Sequence, residues 1–177
     1  MAKKKITITL YMSEVVYDVQ NKTYLTGRSR KSGNNDEEVA NMQANDDDED
    51  ANQVIRSIQS AYGTLKTKLS EWIDSENSTA TNEQIDPTKN IVIVLSMPSN
   101  YNQATLEAIT NACHSYIVNT ATGDWFQITN KDDAKDYFDK ATNDLADIRE
   151  AVNKRVRPVR TAIPAPVDKE KQQDLNA

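Results

Sequence analysis

One cysteine, one histidine and only four glycines stand in 177 residues. A single cysteine excludes an internal disulfide framework, so the chain reads as one made in a reducing cytoplasm. The sequons Asn21-Lys22-Thr23 and Asn77-Ser78-Thr79 are then idle. Any Ser-His-Asp arrangement or histidine-containing zinc site would have to be built on His114 alone. That residue falls mid-helix by pattern, on roughly the face of Trp125, with no second catalytic signal nearby. It reads as a packed or surface imidazole. Cys113 beside it lies on an apolar stripe and reads as a small core residue. So few glycines leave little material for phosphate cradles, and "GRSRKSG" lacks the Gly-Lys-Ser/Thr ending that brings a lysine and a hydroxyl to phosphate and Mg²⁺. No run approaches the roughly 18 apolar residues of a membrane span, and "MAKKKITITLYM" lacks the long apolar region and small-residue cleavage site of a signal peptide.

Apolar and aromatic residues are also sparse, at 37% and 6%. A chain this lean either builds a small core with polar arms or completes itself against partners.

Charge is present, and it is distributed unevenly around a net −6. Residues 1–35 hold seven Lys/Arg against two acids, whereas 36–52 hold eight acids and no base. Residues 101–150 hold nine acids against four bases, and 151–177 return to six bases against three acids. Basic ends on an acidic middle suggest charge-complementary packing between copies or neighbours, or arms that reach another polyanion. The run Asp46–Asp50 fails as a calcium loop. Counted from Asp46, position six is Ala51 where the turn needs glycine, and position twelve is Ser57 where the site needs Glu. Acids gathered in the first turn of a helix, where its dipole favours them, explain the run instead.

The periodicities predict a mainly α (α+β) chain. "KKITITL" alternates as a strand. Ser13 then offers an N-cap, and Val15, Val16, Val19 and Thr23 follow at helical spacing. A β-hairpin turning at Asn21-Lys22 is the competitor over residues 14–25. "GRSRKSGNN" opens a long polar loop. Val54, Ile58, Leu65, Leu69 and Trp72/Ile73 predict a helix from about Asp48 to Ser75. "NIVIVLSM", residues 90–97, is β-branched and apolar, hence a buried strand. Leu106 to Ile128 gives one helix, bent at Gly123. "TNKD" places Thr129 as a capping-box start for a last helix running to 157 and stopped by Pro158. "TITLYMS" and "VIVLSMPS" echo each other, and if they are a duplication the two strands pair and the four helices form one bundle. The expected organisation is thus one helical domain over 1–157, bundle-like with a small two-stranded sheet, and an extended C-terminal arm over 158–177.

No catalytic, cofactor-binding or metal site is expected, and the chain does not read as an enzyme. The residues singled out are those of the arm: Arg155, Arg157 and Arg160 at its root, and Ile163, Pro164 and Val167 along it. Three prolines keep the arm extended, its few apolar residues need a receiving groove, and its arginines oppose the acidic regions of a neighbouring copy. "KKK", "GRSRK" and "KRVRPVR" could touch phosphates, but no reading helix or aromatic platform accompanies them, so nucleic-acid contact would be unspecific.

"YMSEVVYDVQNKTYLTGRSR", "SYIVNTATGDWFQIT" and "NKRVRPVR", in this order, resemble segments of structural proteins of the crAss-like tailed phages of gut Bacteroides relatives, among them the ring proteins of neck and tail. The resemblance implies a non-enzymatic virion component, assembled in the host cytoplasm. It would be present in many copies that contact one another and other virion proteins, with no small-molecule substrate and no membrane. It transfers no functional residues. A small cytoplasmic adaptor or DNA-associated regulator is the alternative, separated from a ring subunit by its failure to join a high-order cyclic assembly.

Overall fold

Ile and Thr alternate along Lys4–Leu10 (β1), and that period of two becomes two faces. Ile6, Ile8 and Leu10 are buried while Lys5, Thr7 and Thr9 are exposed. The computed structural model describes residues 3–74 and 81–159. After β1 come α1 (Met12–Ser29), α2 (Asp36–Asn41), α3 (Asp48–Lys68), β2 (Ile91–Met97), a 3-10 turn over Gln103–Thr105, α4 (Leu106–Thr129) and α5 (Lys131–Asn153). The chain is mainly helical with one small antiparallel sheet, the class expected from the sequence. β1 pairs with β2 from Lys4 opposite Met97 to Leu10 opposite Ile91.

Residues 14–25 are helix, because Val15, Val19, Thr23 and Gly27 recur every four residues on one buried side. Ser13 does not cap it. The residue before the helix is Tyr11, which offers no side-chain cap, and the strand feeds almost directly into buried Met12. Burying that methionine outweighs the roughly 1 kcal/mol a polar cap would contribute. The helix also passes through Gly27, where a Cβ would stand 3.1 Å from the Val39 carbonyl. The close neighbour is α2, in a segment expected to be loop. Its only buried residue is Val39, and one apolar residue gives no period to read.

The helix expected to reach Ser75 ends at Lys68, with Leu69 as its C-cap. Trp72 therefore lies off the helix and is half-buried, not a helix-face core residue. Its segment runs beside β2. Ile73 bridges Leu95, the Asp74 N–H donates to the Val94 carbonyl at 3.0 Å, and the Ser96 N–H donates to the Trp72 carbonyl at 2.6 Å. Pairing with the second edge of β2 satisfies backbone groups that a longer helix would leave open.

The second half differs less. α4 is unbroken through Gly123. It is also more than a striped helix: Val118, Asn119 and Thr122 are buried as well as Ile109, Ile117 and Phe126. It is the central helix, packed on α5, α3, α1 and the sheet. Asn130, rather than Thr129, starts α5, its side-chain oxygen accepting from the Asp132 N–H at 3.2 Å. α5 stops at Asn153, ahead of Pro158, because Lys154–Val156 turns to pair with Asn100–Asn102. The Leu-x-Met echo occupies unlike places: Met12 opens a helix, whereas Met97 closes a strand.

Candidate functional site

The root of the arm is built by two backbone hydrogen bonds, which together make one antiparallel bridge. The Asn102 N–H donates to the Lys154 carbonyl at 3.2 Å, the Val156 N–H donates to the Asn100 carbonyl at 2.8 Å, and Arg155 bridges Tyr101. Tyr101 is fully buried, its hydroxyl 2.7 Å from Thr105 Oγ1. The exit of the chain is thereby fixed to the core. Arg155 Nη1 donates to the Val152 carbonyl at 2.8 Å and to its neighbour Lys154 at 3.1 Å. Its guanidinium thus satisfies the Val152 carbonyl at the end of α5 and adds a second donor to the Lys154 carbonyl. Arg157 is exposed, as are Val156 and Val159 at 53% and 92%. Arg160, Ile163, Pro164 and Val167 lie outside the described residues.

The acidic run forms a helix start. Asp47 caps α3 by accepting from the Asp50 N–H at 3.0 Å, and Asp50 Oδ2 accepts from the Asn45 N–H at 3.0 Å. Two donors are satisfied, but Asp50 reaches the Asn45 N–H and not that of the cap Asp47, so this is an N-cap without a full capping box. Asp46 takes a 2.7 Å hydrogen bond from Gln20 Nε2. Among the described residues no three His, Cys, Asp or Glu side chains converge as a metal ligand set.

His114 stands 2.8 Å from Asp18, linking α4 to α1. Cys113 is fully buried, and burial pushes its thiol up to about 12, far from a reactive thiolate.

Sequence reasoning missed a polar chain across the bundle. Lys22 Nζ on α1 donates to Asn119 Oδ1 on α4 at 2.6 Å, and Asn119 Nδ2 donates to Asp144 Oδ2 on α5 at 2.6 Å. Burial pulls the Lys22 ammonium below its ordinary range, against the attraction of Asp18 and Asp144. Burial likewise raises the Asp144 carboxyl, with Asn119 and Lys22 opposing. A second clamp joins α1 to the start of α5. Arg30 grips buried Asp133 with two guanidinium nitrogens, Asn130 Nδ2 donates to Asp133 at 2.8 Å, and Thr26 shares a 2.7 Å hydrogen bond with Tyr137. One signal could have pointed here. Between Glu107 and Lys131 the only charged residue is Asp124, and a helix that apolar is buried all round, so its Asn119 needs partners.

Each of these polar groups faces another group of the same bundle. They register α1, α4 and α5, and Asp144 also lines an open groove between α4 and α5 with Asp147, Glu150 and Lys154. No family model matches the chain, and neither a curated protein nor a solved structure does.

Proposed function

We propose that this chain is a non-enzymatic structural subunit of a tailed-phage virion, one of several copies in a ring of the neck or tail, joined to neighbouring copies through its C-terminal arm. The observation that carries this is the arm's root, where a fixed exit beside buried Tyr101 ends in exposed Val156, Arg157, Pro158 and Val159. An anchored exit gives an arm a defined direction at little further entropic cost. Exposed valines gain by being covered. Engagement of His114, Lys22, Asp144 and Asp133 within the bundle suits a rigid building block, and the segment resemblance supplies the virion setting. Copies of the chain and other virion proteins would be its partners, and the virion its location. The native mass of the purified full chain, alone and with virion proteins, tests this. A cyclic assembly or a virion-bound complex is expected; a stable monomer that joins neither overturns it.

A further inference from the structure

β2 is bonded on both sides, and β1 on one. Val94 and Ser96 direct their backbone bonds to the Trp72–Asp74 segment. In an antiparallel ladder the bonding direction alternates residue by residue, so Ile91, Ile93 and Leu95 turn theirs to β1. Their partners are Leu10, Ile8 and Ile6. The N–H and C=O groups of Lys5, Thr7 and Thr9 therefore point to the opposite edge. All three residues are exposed, and their backbone groups have no partner among the described residues. An open edge of this length is a template for another strand.

We propose that this edge receives residues 159–163 of a second copy as an antiparallel strand, with Val159 beside Leu10, Thr161 beside Ile8 and Ile163 beside Ile6. This rests on the arm's proposed role between copies and names where it docks. The stretch Val159-Arg160-Thr161-Ala162-Ile163 contains no proline and alternates, so in this register Val159, Thr161 and Ile163 share the apolar side of the sheet. Arg160 and Ala162 then lie opposite Thr9 and Thr7 and can exchange both backbone bonds with them. Pro164 falls opposite Lys5 and, lacking an N–H, ends the ladder.

Charge fixes the direction. Antiparallel addition sets Arg157 and Arg160 at the Leu10 end, away from Lys3, Lys4 and Lys5, whereas parallel addition would place like charges together. Direction in turn fixes the donor. The chain's own exit is tied to Asn100, past the Met97 end of the sheet, and Leu10 lies about 20 Å away along β1. Three Cα-to-Cα steps lead from Val156 to Val159 and span about 10 Å at most. A copy cannot fill its own edge in this register, so the strand comes from a neighbour. Such a head-to-tail contact generates a ring when its rotation closes.

Full chains carrying Thr7→Cys and Ala162→Cys separately, mixed and oxidised, test the register, since buried Cys113 does not compete. A disulfide-linked pair of the two variants is expected, with neither variant linking to itself. Self-linking of Thr7→Cys, an internal bridge in the double variant, or no link at all overturns the inference. Thr7→Pro is the second arm of the test, because it removes only an outward N–H that β2 does not use. Loss of assembly with unchanged melting is expected; assembly as in the parent chain overturns it. Native mass on the same samples separates the two claims. Assembly without the cross-link removes this docking register alone, and a monomer removes the ring subunit as well.

Discussion

The ring of Phe138 on α5 lies against bare backbone at Gly123 on α4, where a Cβ would stand 3.0 Å from its Cε1 and Cζ atoms. That distance is inside ordinary contact, so glycine there serves the packing of the two helices. Gly123→Ala should gain about 1 kcal/mol of helix propensity and lose about 1–3 kcal/mol to overpacking, for a net loss. In a Phe138→Ala background the same change should become stabilising. Chemical denaturation of the four chains of this cycle reads the sign directly. An effect of equal sign in both backgrounds would place the constraint elsewhere.

Trp125 Nε1 donates to the Met42 carbonyl at 2.9 Å, within the core. This bond fastens the connector after α2 to the central helix. Trp125→Phe keeps most of the apolar ring and leaves the carbonyl unpaired, which should cost about 1–3 kcal/mol. Urea unfolding checks it. A loss below about 0.5 kcal/mol would mean that water reaches the carbonyl.

Burial raises the Asp144 carboxyl above its ordinary 3.8, and the sign of its effect follows. A carboxyl whose folded value is raised favours folding while protonated, and that contribution is lost as pH rises through the raised value. Asp144→Asn keeps an acceptor for Asn119 and removes the charge. The melting temperature of the variant minus that of the parent should therefore climb as pH rises from below 3.8 into the range just above it. A flat difference across that range would show that Asn119 and Lys22 already compensate the burial of the carboxylate.

What could be read from the sequence was whatever depends on period. The alternation of "KKITITL" and the stripe of Val54, Ile58 and Leu65 specify their elements because each buries one face. Elements closed by tertiary contact could not be read this way. Trp72 and Ile73 keep the phase of α3 yet leave it, since β2 offers its free edge to their backbone. α2 owes its place to a single valine and to the close approach at Gly27. Caps were misplaced by one or two residues at Ser13 and Thr129, where burial of Met12 and the side chain of Asn130 decide. Of the arm, the sequence offered Arg155, Arg157 and Arg160 by composition, and only the first two fall within the described residues. The engagement of Arg155 by its own helix end was not legible, because nothing local in the sequence marks where α5 stops. The Lys22–Asn119–Asp144 chain spans three helices, and such a juxtaposition exists only once the bundle is formed.

Removal of residues 158–177 is the most direct measurement. Everything fixed about the exit, from Tyr101 to Val156, stays in the shortened chain. Its melting should match the parent's within a few degrees, since about 1 kcal/mol moves a domain of this size by about 2–4 °C. Analytical ultracentrifugation of both chains at equal concentration should then find the full chain in a closed multimer and the shortened chain as a monomer. Identical multimers from both would contradict an arm that joins the copies.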